Sequence, residues 1–341
     1  MGLSPRTLRP ANSASALQPL WVAAAYPGEG GTGETTRVRA FVFISRDGRD
    51  FISVGPDDGV LVPQRGINDP TVLWWRGKYY MCYSDGSSGW DSNPPTIHIV
   101  QSDDLVAWTP VVSIAVGSQS GDNIVNIPTW VVDGIGPAIV YVPNSTHYVE
   151  VIRPNSANPS AWGSSSNWSS PVAITDASAT TLVQGNTFIA YKAGTYYMAF
   201  NDVGWQGYKK RTSSSLLSGW SAASALGVGT EADSGDTLPL VITSGGKFRA
   251  YVSNGNSTTY EMWYYESDDF ATWGPAVPLT FVGAGAGYLF NWAHVGIVRA
   301  TPSLISRLFA DYTPQMILLQ TIGGETMTDL SEDPLRTIQY A

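Results

Sequence analysis

Three stretches of this chain repeat one local pattern, and that repetition narrows the folds open to it more than any other feature. The first copy is Gly77-Lys78-Tyr79-Tyr80-Met81-Cys82-Tyr83, followed by Ser102-Asp103-Asp104-Leu105 and then Trp108. The second is Gly194-Thr195-Tyr196-Tyr197-Met198-Ala199-Phe200, followed by Ser214-Ser215-Leu216 and Trp220. The third is Gly246-Lys247-Phe248-Arg249-Ala250-Tyr251, followed by Ser267-Asp268-Asp269-Phe270 and Trp273. Each copy reads as a tight turn, a strand of alternating aromatics, a further strand, and a turn closed by Trp. A unit of this size cannot bury its apolar faces alone and must stack on its neighbours, as the units of a propeller or solenoid do.

Composition supports the same class. Hydrophobic residues make up 43% of the 341 positions and charged residues only 14%, and no stretch keeps a helical period. Many aromatic residues with abundant Gly and Pro favour strands joined by turns. The net charge of -9 comes with no basic cluster, which argues against nucleic acid or an anionic membrane as partner. There is no apolar run long enough to span a bilayer as a helix. Residues 1–19 lack the basic segment and apolar run of a secretory signal. The lone Cys82 excludes an internal disulfide and reads as a buried structural thiol.

Four units lie at about 68–112, 126–168, 184–223 and 237–277, and a fifth inner strand follows at 294–299. Strands at 20–26 and 37–44 precede Ser45-Arg46-Asp47-Gly48-Arg49-Asp50-Phe51, which matches the closing turn with Phe in place of Trp. The expectation is an all-β, five-bladed β-propeller whose last blade is closed by N- and C-terminal strands, which removes open sheet edges. Residues 1–19 form an irregular lead-in, 20–310 the propeller, and 311–341 a tail that either adds a strand to the closing blade or stands apart. An ordinary β-sandwich is the competing arrangement.

In a propeller the starts of the inner strands converge on one funnel, so polar residues there are the candidates for chemistry. Asp69 precedes Tyr79 by ten residues and Asn186 precedes Tyr196 by the same interval. Pro70 is expected to hold Asp69 extended. Flanking apolar residues would shield a carboxylate there and tune it for base catalysis; a turn Asp capping its own backbone is the alternative. The loop before the fourth unit carries Glu231, Asp233 and Asp236, which could supply an acid, hold a cation or simply be solvated.

With those residues in place, the order Asp69-Pro70, Gly77-Lys78-Tyr79-Tyr80, Ser102-Asp103-Asp104-Leu105 to Trp108, then Ile127-Pro128-Thr129-Trp130, resembles the five-bladed propeller glycoside hydrolases of family 43, the arabinanase and β-xylosidase group. The resemblance covers about residues 65–300. It implies three catalytic carboxylates: a base on the first blade, a pKa-tuning Asp on the third, and a proton-donating Glu on the fourth. Asp69 matches the base. The third position falls on Asn186, which keeps the size but loses the charge. Glu231 is the first choice for the acid and Asp236 the second, because neither stands in the family's usual context. His294 is similar to a central histidine that helps hold an ion such as Ca2+ on the propeller axis; a buried, hydrogen-bonded His is the equal alternative. No cofactor is expected for the chemistry itself. Trp74, Trp90, Trp130, Trp205 and Trp292 are candidate sugar-stacking residues, two or three of them reaching ligand and the rest packing in the core.

The resemblance implies an inverting glycosidase acting on an arabinofuranoside- or xyloside-like oligo- or polysaccharide. The alternative is a catalytically degraded propeller that binds carbohydrate or serves in a virion tail, motivated by Asn186 and the poor fourth-blade match. Localisation stays open: a cytoplasmic protein, one released by lysis, an extracellular protein and a virion-associated one all fit.

Overall fold

The structure, a computed structural model, describes residues 20–25, 39–55, 59–61, 67–85, 96–116, 125–143, 147–201, 207–229, 238–253, 262–283 and 296–300. The expected lead-in (1–19) and tail (311–341) lie outside the described residues. Strands β1 (Leu20–Ala25), β2 (Arg39–Ser45), β3 (Asp50–Val54) and β4 (Val60–Leu61) come first. The first blade is β5 (Ile67–Trp75), β6 (Lys78–Asp85), β7 (Thr96–Ser102) and β8 (Thr109–Ala115). The second is β9 (Val125–Val132), β10 (Pro137–Pro143), β11 (Glu150–Ile152) and β12 (Val172–Ala173). The third is β13 (Thr187–Lys192), β14 (Thr195–Asn201), β15 (Tyr208–Ser213) and β16 (Ser224–Ala225). The fourth is β17 (Leu240–Ile242), β18 (Phe248–Ser253), β19 (Met262–Ser267) and β20 (Val277–Pro278). Last come β21 (Thr280–Val282) and β22 (Gly296–Ala300).

The closing blade runs β22-β1-β2-β3-β21, so the C-terminal strand is innermost and the N-terminal strands lie outside it, as the sequence predicts. Its outermost strand differs from that expectation. β21 follows the fourth blade directly and pairs parallel with β3, so the fourth blade is tied to the fifth by backbone as well as side chains. The second unit also extends beyond its expected end at Trp168, because its outer strand Val172–Ala173 follows two 3-10 turns, Pro159–Ala161 and Ser165–Asn167.

The repeat's hairpins explain why Gly recurs. Arg76-Gly77 and Ala193-Gly194 are two-residue turns with both residues at positive φ (49° and 89°, 50° and 86°), whose twist matches that of the flanking strands. The aromatic alternation then sends successive residues to opposite faces. Tyr79, Met81 and Tyr83 pack toward the closing blade, while Tyr80 and Cys82 pack toward the second. Tyr196, Met198 and Phe200 face the second blade, and Tyr197 and Ala199 face the fourth. Each of the five blade interfaces is one buried apolar cluster, the last joining Trp21, Phe43 and Phe51 to Tyr251 and Met262. The ring is therefore closed by hydrophobic burial at every seam.

In the fourth blade's copy of the motif, Arg249 takes the place of the second tyrosine. It faces the closing blade, with its guanidinium 4.7 Å from the Trp21 ring centroid and 4.0 Å from that of Tyr264. It donates to the Asp47 carbonyl (2.6 Å) and to Glu266 Oε1 (2.7 Å). Gly48 sits under this contact at φ +74°, and a Cβ there would lie 2.5 Å from Arg249 Nη1, 2.6 Å from the Tyr251 hydroxyl and 2.8 Å from Trp21. Gly48→Ala should therefore cost about 2 kcal/mol or more through overpacking and backbone strain. A chemical-denaturation midpoint equal to that of the wild type would contradict this reading of the seam.

The closing turns share one hydrogen-bond scheme. The Ser102 hydroxyl accepts from Leu105 N, and Asp104 Oδ1 accepts from Val106 N and Ala107 N. Ser267 and Asp269 cap the fourth blade in the same manner, as Ser45 and Asp47 do in the closing blade. Leu105 (φ 68°) and Phe270 (φ 62°) stand in the left-handed region at the Gly48 position, yet their side chains are buried. Backbone N–H groups of Thr272 and Ala271 hold Asp269 at about 2. Asp104 is held below the usual range because bonds from Ala107, Val106 and Ser102 outweigh partial burial. A lowered folded-state pKa means stability that is present above about pH 4, the unfolded value, and is lost as pH falls toward 2. Unfolding free energy should decline across that window, and Asp104→Asn should flatten the decline when the two are titrated side by side.

Candidate active site

Among the described residues, the upper ends of the inner strands carry a group of buried polar side chains that includes Asp69, Thr71, Thr129, Asn186 and Thr187. At 68–71 and 126–129 the sequence writes Asn-Asp-Pro-Thr and Asn-Ile-Pro-Thr. Both strands bulge there: Asp69 and Pro70 lie between the paired residues Asn68 and Thr71, as Ile127 and Pro128 lie between Asn126 and Thr129. Asp69 is at φ +52° and Ile127 at φ +38°. The expected extended backbone for Asp69 is thus replaced by a left-handed one. Proline normally disfavours helical conformations before it, but the bulge forces the turn, and Asp tolerates it better than most residues. For the β-branched Ile127 the same geometry costs about 1–3 kcal/mol.

What holds this geometry is a set of contacts between blades. Asp69 Oδ2 accepts from Ile127 N at 3.0 Å, so the carboxylate of one bulge caps the backbone of the next. One step below, Thr71 Oγ1 donates to Pro128 O (2.7 Å), and Thr129 Oγ1 donates to Thr187 O (3.2 Å). Equivalent threonines therefore stitch the first three inner strands together. Cys82 is buried against the same Pro128 carbonyl (3.3 Å), and burial pushes its thiol up to about 12, which makes it a packing group rather than a nucleophile. The inner strands neighbour one another in the order β22, β5, β9, β13, β17 and back to β22. Those of blades one to four line an axial cavity of about 210 Å³, with Val72, Thr129, Trp130, Ile189, Tyr191 and Val241 in its wall.

Asn186 is buried and its carbonyl accepts from Asn201 N at 3.1 Å. Asp69 and Asn186 thus lie at the same end of inner strands two blades apart. Around that end Ser84, Gln184, Asn201 and Ser253 are also buried. Gln184 Nε2 donates to Thr187 Oγ1 (3.1 Å), and the Tyr208 hydroxyl donates to Ser253 O (3.0 Å), joining the third blade to the fourth. Gly185 permits this crowding, since a Cβ there would lie 2.9 Å from Asn201 O. Among the described residues at this end the result is a single buried carboxylate, Asp69, among amides and hydroxyls, a donor and acceptor set suited to a polyhydroxylated ligand.

Trp74 and Trp130 lie further down the inner strands and pack between blades. The Trp74 ring is 4.5 Å from that of Tyr79, and Trp130 stacks 5.9 Å from Trp162. Glu231, Asp236, Trp90, Trp205, Trp292 and His294 lie outside the described residues. Among the described residues no group of three His, Cys, Asp or Glu is placed to hold a metal ion. A carboxylate that the sequence pattern does not single out, Glu150, is buried on the third strand of the second blade, where it accepts from the Tyr141 hydroxyl (2.7 Å). Burial raises its pKa above the usual range despite that bond. Two strands away from the axis, it belongs to the packing between the first and second blades.

No protein-family model matches the chain, and no curated protein matches it in sequence. Solved structures do match in shape. An exo-β-1,3-galactanase from Clostridium thermocellum superposes with a TM-score of 0.53 at 16% identity, covering 74% of this chain and 58% of that one. An endo-1,4-β-xylanase from Bacteroides thetaiotaomicron gives 0.52 at 16% identity, covering 77% and 93%. A family 43 β-1,3-galactosidase with galactodeoxynojirimycin gives 0.52 at 16%, covering 76% and 89%. The chain has the five-bladed propeller fold of these glycoside hydrolases.

Proposed function

We propose that the protein is a glycosidase that hydrolyses an oligo- or polysaccharide at the upper funnel, with Asp69 as the base that activates water. The observation that carries this reading is the position of Asp69: a buried carboxylate, held off the regular ladder by a bulge and fixed by Ile127 N, where inner strands converge. A fixed carboxylate is poised to take a proton without reorganising in the transition state. Asn186 would orient substrate or acid through its amide. Glu231 is the leading proton donor and Asp236 the second. Inversion requires donor and base roughly 6.5–9.5 Å apart, which leaves room for water. An arabinofuranoside or xyloside is the substrate expected from the motif order, and shape similarity to galactan- and xylan-active enzymes supports a β-linked galactan beside them. An ion on the propeller axis, held with the help of His294, belongs to the same reading.

The test is sugar release from arabinan, xylan, β-1,3-galactan and the corresponding aryl glycosides. Release by the purified protein supports the reading. Absence of release from every substrate would favour the second reading, a carbohydrate-binding propeller, which the neutral Asn186 at an expected carboxylate position supports.

A further inference from the structure

The upper face between the second and third blades carries a short ribbon that the funnel chemistry does not use. Tyr148 lies just ahead of β11 and Val183 just ahead of β13, and the two form an isolated antiparallel bridge. Val149 N donates to Leu182 O (3.1 Å) and Gln184 N to His147 O (3.0 Å), so the bridge is a non-hydrogen-bonded pair with its side chains close together on one face. The neighbours Val149, Leu182 and Gln184 turn inward and are buried. Tyr148 and Val183 turn outward, 37% and 49% exposed, and Tyr148 is the one aromatic among the exposed large apolar residues described.

This ribbon runs straight into the site. Gln184, its last residue, bonds Thr187 from beneath and is followed by Gly185 and Asn186. A partly exposed tyrosine beside a buried set of amides, hydroxyls and a carboxylate fits one ligand chemistry: a sugar ring whose apolar face packs on the aromatic side chain while its neighbour's hydroxyls enter the funnel. A single monosaccharide in the funnel would leave the ribbon uncovered.

We propose that Tyr148, with Val183 beside it, is a stacking platform for a second sugar of an oligosaccharide whose first sugar enters the funnel at Asp69 and Asn186. This rests on the reading of the funnel as a carbohydrate site, and it makes the ligand a chain of at least two sugars lying over the seam of blades two and three.

Affinity electrophoresis through gels containing arabinan, xylan or β-1,3-galactan tests it without requiring turnover. The unfolding temperature of Tyr148→Ala is measured alongside, so that lost folding is separated from lost binding, and Tyr148→Phe keeps the ring as a control. The expected result is that one glycan retards the wild type, that Tyr148→Ala weakens retardation by tenfold or more, and that Tyr148→Phe restores it. Equal retardation of Tyr148→Ala and wild type would overturn the platform and leave the funnel reading standing. Absence of retardation by all three glycans would overturn the platform as well, while sugar release in the hydrolysis assay decides the funnel reading separately.

Discussion

Asp69→Asn should lower sugar release by between about 100-fold and 10,000-fold, the range over which a positioned base contributes. The substitution keeps the side chain's size, and the amide oxygen can still accept from Ile127 N, the bond that ties the first bulge to the second. Unfolding temperature should therefore stay within a few degrees of the wild type. That pairing of outcomes separates a chemical role from a structural one. If Asp69 served only to cap Ile127 N, Asp69→Asn would leave hydrolysis near normal. Asp69→Ala would then be the damaging change, through a buried N–H left without its partner.

Asp133→Ala should destabilise the propeller more than Gly48→Ala does. Asp133 stands at the lower end of the second blade's inner strand, its side chain 1% exposed. Arg153 donates to both of its oxygens, and the Tyr196 hydroxyl of the third blade donates to Oδ2 at 2.8 Å. Burial works against the carboxylate's charge, but the bonds from Arg153, Tyr196 and Ile135 N outweigh it and hold the pKa below the usual range. Removing the carboxylate leaves the Arg153 guanidinium without its partner and the Tyr196 hydroxyl without its acceptor. Breaking a buried pair in this way costs about 3–5 kcal/mol, or a drop in Tm of roughly 5–8 °C for a domain of about 300 residues. Calorimetry on Asp133→Ala checks it. A loss below about 1 kcal/mol, the scale of an exposed ion pair, would mean the seam between the second and third blades is held by its apolar cluster alone.

The fold was legible because its repeat encodes packing directly. Gly at the turn, then two aromatics pointing to opposite faces, states both the hairpin and the two seams it fills, and Phe51 in the Trp position marked the split blade. The parallel strand Thr280–Val282 was not legible, since a three-residue edge carries no periodicity. In the site, counting residues back from the aromatic strand found Asp69 and Asn186 but could not see the bulge. The matching frames at 68–71 and 126–129 were the available signal, because a shared Pro-Thr after a positive-φ residue marks the same kink in both strands. The interblade threonines follow from that frame. Tyr148 and Val183 had no such signal: Tyr148 lies inside the second unit and Val183 just ahead of the third, and only pairing across the sheet brings them together beside Asn186.

Cleavage of a glycosidic bond in this funnel, by water activated at Asp69, is tested most directly by proton NMR of the protein incubated with the responsive glycan. The spectrum reads cleavage and stereochemistry together, since the first-formed product shows its anomer before mutarotation. The expected result is release of the inverted anomer by the wild type and none from Asp69→Asn over the same interval. Release of the retained anomer, or release undiminished in Asp69→Asn, would contradict it.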